Sequence, residues 1–268
     1  MVREMLNAAP LFLLLAVRAL AMIETSPLLS SEANPQVARI ALAGFAAYAA
    51  FPSTQAISAQ GLELFSFGFL LLIIGEAIIG IIMGFFITII FAAFSTAGQF
   101  FSLHMGFSIV ETMDPLSQTE NPLMGQYLNL VAMMVFLSMN GFRELFLGGF
   151  WRSVQSINIA SLAAGREAVV GMLLSGLSRL FLDAMVIALP MLGTLFLTTL
   201  ATGLISKAAP QINILTEGYP ISVTVAFILI LAVLPFMVES FGRVIDSGFD
   251  VLQNLYIQIG QRVAGGTI

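Results

Sequence analysis

Two apolar tracts, Leu62 to Ala97 and Val169 to Lys207, constrain this chain more than any other feature. As one straight helix the first would extend about 54 Å, against a bilayer hydrocarbon core of about 30 Å. Such a tract must kink, fold back, or continue beyond the membrane inside other protein, and the second repeats the problem. In the second, Pro190 removes a backbone donor and clashes with the preceding turn, which predicts a kink. Apolar residues run continuously instead of alternating, so the tracts read as helices and not as barrel strands.

Composition agrees. With 59% hydrophobic and 9% charged residues, the chain lies far outside the soluble range, where about a quarter of residues are charged. It reads as an integral membrane protein. The 10 Lys plus Arg are scattered singly from Arg3 to Arg262 and the formal charge is −5. That leaves no basic patch for nucleic acid and no polybasic lipid-binding cluster. The same scatter gives no loop bias from which to fix orientation in the membrane. The lack of cysteine excludes disulfides, thiolate catalysis and Cys-ligated metals.

Taken in order, residues 5–23 read as a helix. Arg3, the run Leu11 to Val17 and the triplet Ala19-Leu20-Ala21 imitate a secretory signal, but Glu4 and Arg18 argue for a retained segment. A polar connector punctuated by Pro27 and Pro35 leads to a helix over 37–50, and a second connector, Ser53 to Gly61, leads into the first long tract. Between the apolar segments lies Gly98 to Gln126, which holds the only histidine, His104, and ends in Asp114-Pro115 and Asn121-Pro122. Its aromatics are too many for a solvated connector, so it reads as an inserted loop. Beyond it come a helix to Met139, a break at Asn140-Gly141, and a segment to Ser161 on which Trp151 beside Arg152 looks like an interfacial anchor. The last apolar segment, Ile221 to Val238, is interrupted by Pro235. From 239 onward Phe241, Val244, Ile245, Leu252, Leu255, Tyr256 and Ile259 recur at helical spacing with Arg243, Asp246 and Asp250 on other faces. That pattern predicts a C-terminal amphipathic helix.

The expected fold is all-α: an integral membrane protein of long, kinked helices, with N-terminal helices over 1–97, a central loop over 98–126, helical segments over 127–238 and the amphipathic helix over 239–268. Within the first tract, Glu76, Gly80 and Gly84 are spaced by four and share one helix face. The glycines permit close backbone approach, and Glu76 would point into protein and not lipid. Arg179 and Asp183 can pair along one face as a buried ion pair, and Pro210, Gln211 and Asn213 belong to a compact turn between Lys207 and Pro220. No HExxH, GxSxG or phosphate-binding glycine loop is present, so no catalytic residues, metal or cofactor are assigned. Two functional classes remain from the residues: a secondary transporter, and a subunit of a multi-protein channel. Overlong tracts and an aromatic-rich loop favour the channel subunit.

Several blocks, in order, resemble the FliR family of flagellar export-gate proteins. They are the opening LFLLLAVRALAMIETSPLLSSEANPQVARIALA, GEAIIGIIMGF, AGQFFSLHMGFSIVETMDP, FLSMNG and AAPQINILTEGYP. The chain departs from the family pattern at Phe142, where histidine is common, and at Ile221-Ser222-Val223, where a lysine is common. The injectisome counterpart, the SctT family, shares the APQ.N block. The resemblance implies steep helical hairpins around a pore formed with FliP-like and FliQ-like subunits, with an FlhB-like subunit associated. It implies passage of unfolded flagellar proteins across the bacterial inner membrane at the basal body, with membrane lipid as surroundings and no small-molecule substrate or nucleic acid. It also implies a pore plug at Met105, Gly106, Phe107, Ile109, Val110 and Met113.

Overall fold

From Phe67 onward the first overlong tract is one unbroken helix. The computed structural model describes residues 2–30, 34–54, 66–105, 123–208 and 214–264, and those residues contain no strand. Helix α1 is Val2–Thr25, α2 is Gln36–Ala50 followed by a 3-10 turn at Phe51–Thr54, and α3 is Phe67–Met105. Helix α4 is Leu123–Ser138, α5 is Gly141–Ser156, and α6 is Ile159–Ala164. Helix α7 is Arg166–Ala208 and α8 is Ile214–Ala264. The all-α expectation holds, and among the described residues three helices are long and apolar enough to cross a membrane.

The segment boundaries differ from the sequence reading in two places. Helix α3 runs through Gly98 to Met105, which the sequence assigned to a loop. The cause is helical spacing: Phe94, Ala97, Phe101 and Met105 are each 0% exposed, whereas Gln99, Leu103 and His104 lie on the outer side. Phe101, one of the aromatics that suggest an inserted loop, is a core residue of this helix. Helix α8 fuses the last apolar segment with the amphipathic stretch into one element of 51 residues through Pro220 and Pro235. Likewise α7 continues through Pro190 over 43 residues, about 64 Å of rise. A continuing helix keeps the remaining backbone groups paired, which matters most where no water can reach them.

The break at Asn140-Gly141 falls where expected. Asn140 adopts a left-handed backbone, φ 56°, a conformation that asparagine tolerates better than most residues. Helix α4 ends there and α5 begins.

The chain divides into two compact units, each assembled from separated segments. Unit 1 comprises Met1–Ile89, Asn140–Gly176 and Asp246–Ile268. Its core takes Ala19, Met22 and Ile23 from α1, Ile79, Met83 and Ile87 from α3, Leu145 and Phe150 from α5, and Leu252, Tyr256 and Ile259 from α8. Unit 2 comprises Ile90–Met139 and Leu177–Ile245. Its core is aromatic: Phe91 meets Phe94 and Phe136 edge-on at 5.9 and 5.7 Å, and Phe94 lies 4.5 Å from Phe241. Such pairs add specific geometry to the area they bury.

Candidate functional site

Glycine spacing on α3 sets up the most polar buried cluster in unit 1. A side chain at Gly80 would meet the Arg18 carbonyl and the Ala21 Cβ, and one at Gly84 would meet Thr25 and the Met22 carbonyl. The backbones of α1 and α3 therefore touch where these glycines stand, as small residues allow. Thr88 Oγ1 fastens the same seam, donating to the carbonyls of Thr25 at 2.7 Å and Gly84 at 3.0 Å. Gly75, one residue before Glu76, is covered by the Ile159 side chain of α6.

This approach brings Arg18 of α1 onto Glu76 of α3. Arg18 Nε donates to Glu76 Oε2 at 2.5 Å, and the two side chains are only 3% and 13% exposed. The remaining donors are used as well: Nη1 donates to Ser153 Oγ at 3.3 Å and Nη2 to the Ile157 carbonyl at 3.0 Å. Ser153 Oγ in turn donates to the Phe150 carbonyl at 2.7 Å. Ile157 lies just past the end of α5, where helix carbonyls lack partners of their own. A buried guanidinium is tolerable only when paired and hydrogen-bonded in this way.

Two further features border the cluster. The middle of α5, Glu144–Trp151, is wound as a π-helix, a form that needs particular local packing and is rare. Tyr256 of α8 is 2% exposed, and its hydroxyl has no hydrogen-bond partner in the structure. A cavity of about 10 Å³ lies against Ile79, Met83, Ile157, Leu252 and Tyr256, too small for anything beyond a water-sized guest. The cluster can therefore join helices, and it has no room for a substrate.

The predicted site residues fare unequally. Glu76, Gly80 and Gly84 do share a buried face, and the chain's own α1 fills it. Met105 is the last residue of α3 and is fully buried among the core residues of unit 2. Gly106, Phe107, Ile109, Val110 and Met113 lie outside the described residues, as do Pro210, Gln211 and Asn213. Arg179 is exposed and Asp183 half-buried on α7. That pair lies at the surface of this chain, because the α7 face carrying Leu177, Phe181 and Leu182 is itself uncovered. Beside Trp151, Arg152 Nη1 donates to Gln253 Oε1 at 2.6 Å. Sequence reasoning found no partner for Glu76, since Arg18 stands 58 residues away on another helix. The one available signal was that both are lone charges inside apolar helices, and such residues tend to pair.

Comparison with known proteins places this arrangement. Residues 9–248 match the family described as bacterial export proteins, family 1. The chain belongs to that family. Among members of bacterial export protein family 1, it is similar to the flagellar biosynthetic protein FliR of Escherichia coli (strain K12), 30% identical over 243 residues that cover 91% of each chain. It is 29% identical to the FliR of Bacillus subtilis (strain 168), over 96% of this chain and 98% of that one. The Yop proteins translocation protein T of Yersinia pestis is 29% identical over 63% of this chain and 65% of its own. This family member is thus a membrane-type bacterial export protein, and its buried charges Arg18 and Glu76 both fall within the matched residues.

Proposed function

We propose that the chain is a pore-forming subunit of the flagellar type III export gate in the bacterial inner membrane. In this reading it assembles with FliP-like and FliQ-like subunits, with an FlhB-like subunit associated, and unfolded flagellar proteins pass through the assembly. The observation that carries the reading is the match to flagellar FliR proteins over 91% and 98% of their lengths. Helices longer than a bilayer is thick support it, because such helices need protein around the part that lies outside lipid. The chain contributes wall and gate and no chemistry; relatives bear the names of export and translocation proteins, not of catalysts.

The gating part of this reading concerns the stretch from Gly106 to Met113, which is proposed to close the path sterically and by dewetting through Phe107, Ile109, Val110 and Met113. Two experiments test the whole. A tagged chain recovered from native membranes should bring other helical export subunits with it; stable recovery alone would overturn the subunit assignment. Deleting residues 106–113 should raise ion conductance through assembled complexes, and a closed-level conductance would remove the plug.

A virulence-type export apparatus is the second reading, favoured by the Yersinia relative. That match covers 63% of the chain, against 91% and 96% for the flagellar ones, so the flagellar system ranks first. Family membership replaces the small-solute transporter that the residues alone left open.

A further inference from the structure

We propose that Arg18 is a positioning residue that fixes where α5 ends against α1 and α3, and that Glu76 is its counter-ion and not a carrier of protons. The inference rests on the export-subunit reading only for its second readout. Four observations support it. Arg18 is almost wholly buried and donates from Nε, Nη1 and Nη2 to three different segments: Glu76 on α3, Ser153 within α5, and the carbonyl of Ile157 beyond it. Ser153 is 0% exposed and its own hydroxyl proton is committed to Phe150, so its oxygen is left to accept from Arg18. The Ile157 backbone is extended, φ −122° and ψ 122°, so the chain leaves α5 at the point where the guanidinium takes its carbonyl. Finally, the cavity of about 10 Å³ beside Tyr256 has no carboxylate, histidine or basic side chain among its lining residues.

The planar fork matters as much as the charge. An ammonium at position 18 keeps the charge but presents its donors from a single nitrogen, and it cannot reproduce contacts made from three nitrogens of one plane. A carboxylate that only balances charge can be dispensed with once the arginine is removed, because a buried pair replaced by apolar groups of similar volume is often neutral. A carboxylate that carries protons cannot.

The experiment compares Arg18→Met, Glu76→Leu, the double variant and Arg18→Lys in cells, reading membrane accumulation with protease resistance, and export per accumulated molecule. Each single variant should fall at least tenfold in protease-resistant protein, and Arg18→Lys should fall with them. The double variant, free of an unpaired buried charge but lacking the donors to Ser153 and Ile157, should accumulate above either single variant and below wild type, and export normally per accumulated molecule. A double variant that accumulates and exports nothing would overturn the counter-ion role. Glu76→Gln gives an independent check, since Gln can still accept from Nε: reduced accumulation with normal export per molecule is expected, and wild-type accumulation with no export contradicts the proposal. Single variants that accumulate normally contradict the positioning role. Accumulation and protease resistance do not depend on the export reading, so failure of one idea is separable from failure of the other.

Discussion

Helix α3 and the first half of α8 are almost equally apolar and are treated in opposite ways by the fold. Their most apolar windows have mean hydropathies of 2.7 and 2.8, yet 61% of the first is buried inside the chain and only 17% of the second. The difference lies in small residues. Helix α3 carries Gly75, Gly80, Gly84 and Gly98, each with neighbouring atoms where a side chain would stand, including the backbones of Arg18, Met22, Met124 and Gly125. The stretch Ile221 to Val238 of α8 has no glycine and leaves Phe227, Ile228, Leu231 and Phe236 exposed. Hydropathy therefore identifies what avoids water, and glycine placement identifies what is surrounded by its own chain. In an apolar medium the association of helices depends on close packing and internal polar contacts, not on hydrophobicity alone. The Arg18–Glu76 pair illustrates the second, and it lies beside the glycine seam that lets α1 approach.

The sharpest way to break this comparison is to widen the seam. Gly84→Leu should destabilise unit 1 by about 3 kcal/mol or more, seen as loss of the protein from membranes by immunoblot, and normal levels would mean the seam is not obligatory. Phe94→Ala, which opens the aromatic core of unit 2, should cost about 3 kcal/mol, read as a fall in the unfolding midpoint in detergent. At the level of the isolated chain Arg179→Met should cost under about 1 kcal/mol, because the pair with Asp183 is at its surface. Smallest of all, Leu231→Ala should change the isolated chain's stability by no more than about 0.5 kcal/mol. A large loss there would show that α8 is packed internally after all.

Much of the fold was legible in the sequence, and the limits have physical causes. Continuous apolar runs gave the helices and the membrane class, and Asn140-Gly141 gave a break because it holds the one non-glycine residue with positive φ among those described. The spacing of Phe241, Ile245, Leu252, Tyr256 and Ile259 correctly marked a buried face of α8. Pro220 and Pro235 misled in α8, since losing one backbone bond does not end a helix that has no solvent to turn to. The end of α3 was misplaced because His104, Gln99 and Ser102 suggested a loop, while Phe101 and Met105 were continuing the helical face of Phe94. At the candidate site, Gly80 and Gly84 announced a close approach but not its partner. Nothing local links Gly84 to Thr25, or Gly98 to Gly125, since both contacts are made across the fold.

The most direct test places a photoreactive residue at position 231 on α8 and, separately, at position 94 on α3, and illuminates native membranes. The account predicts adducts outside the chain, to lipid or another protein, from position 231, and adducts only within the chain from position 94. External adducts from position 94 together with purely internal ones from 231 would contradict it.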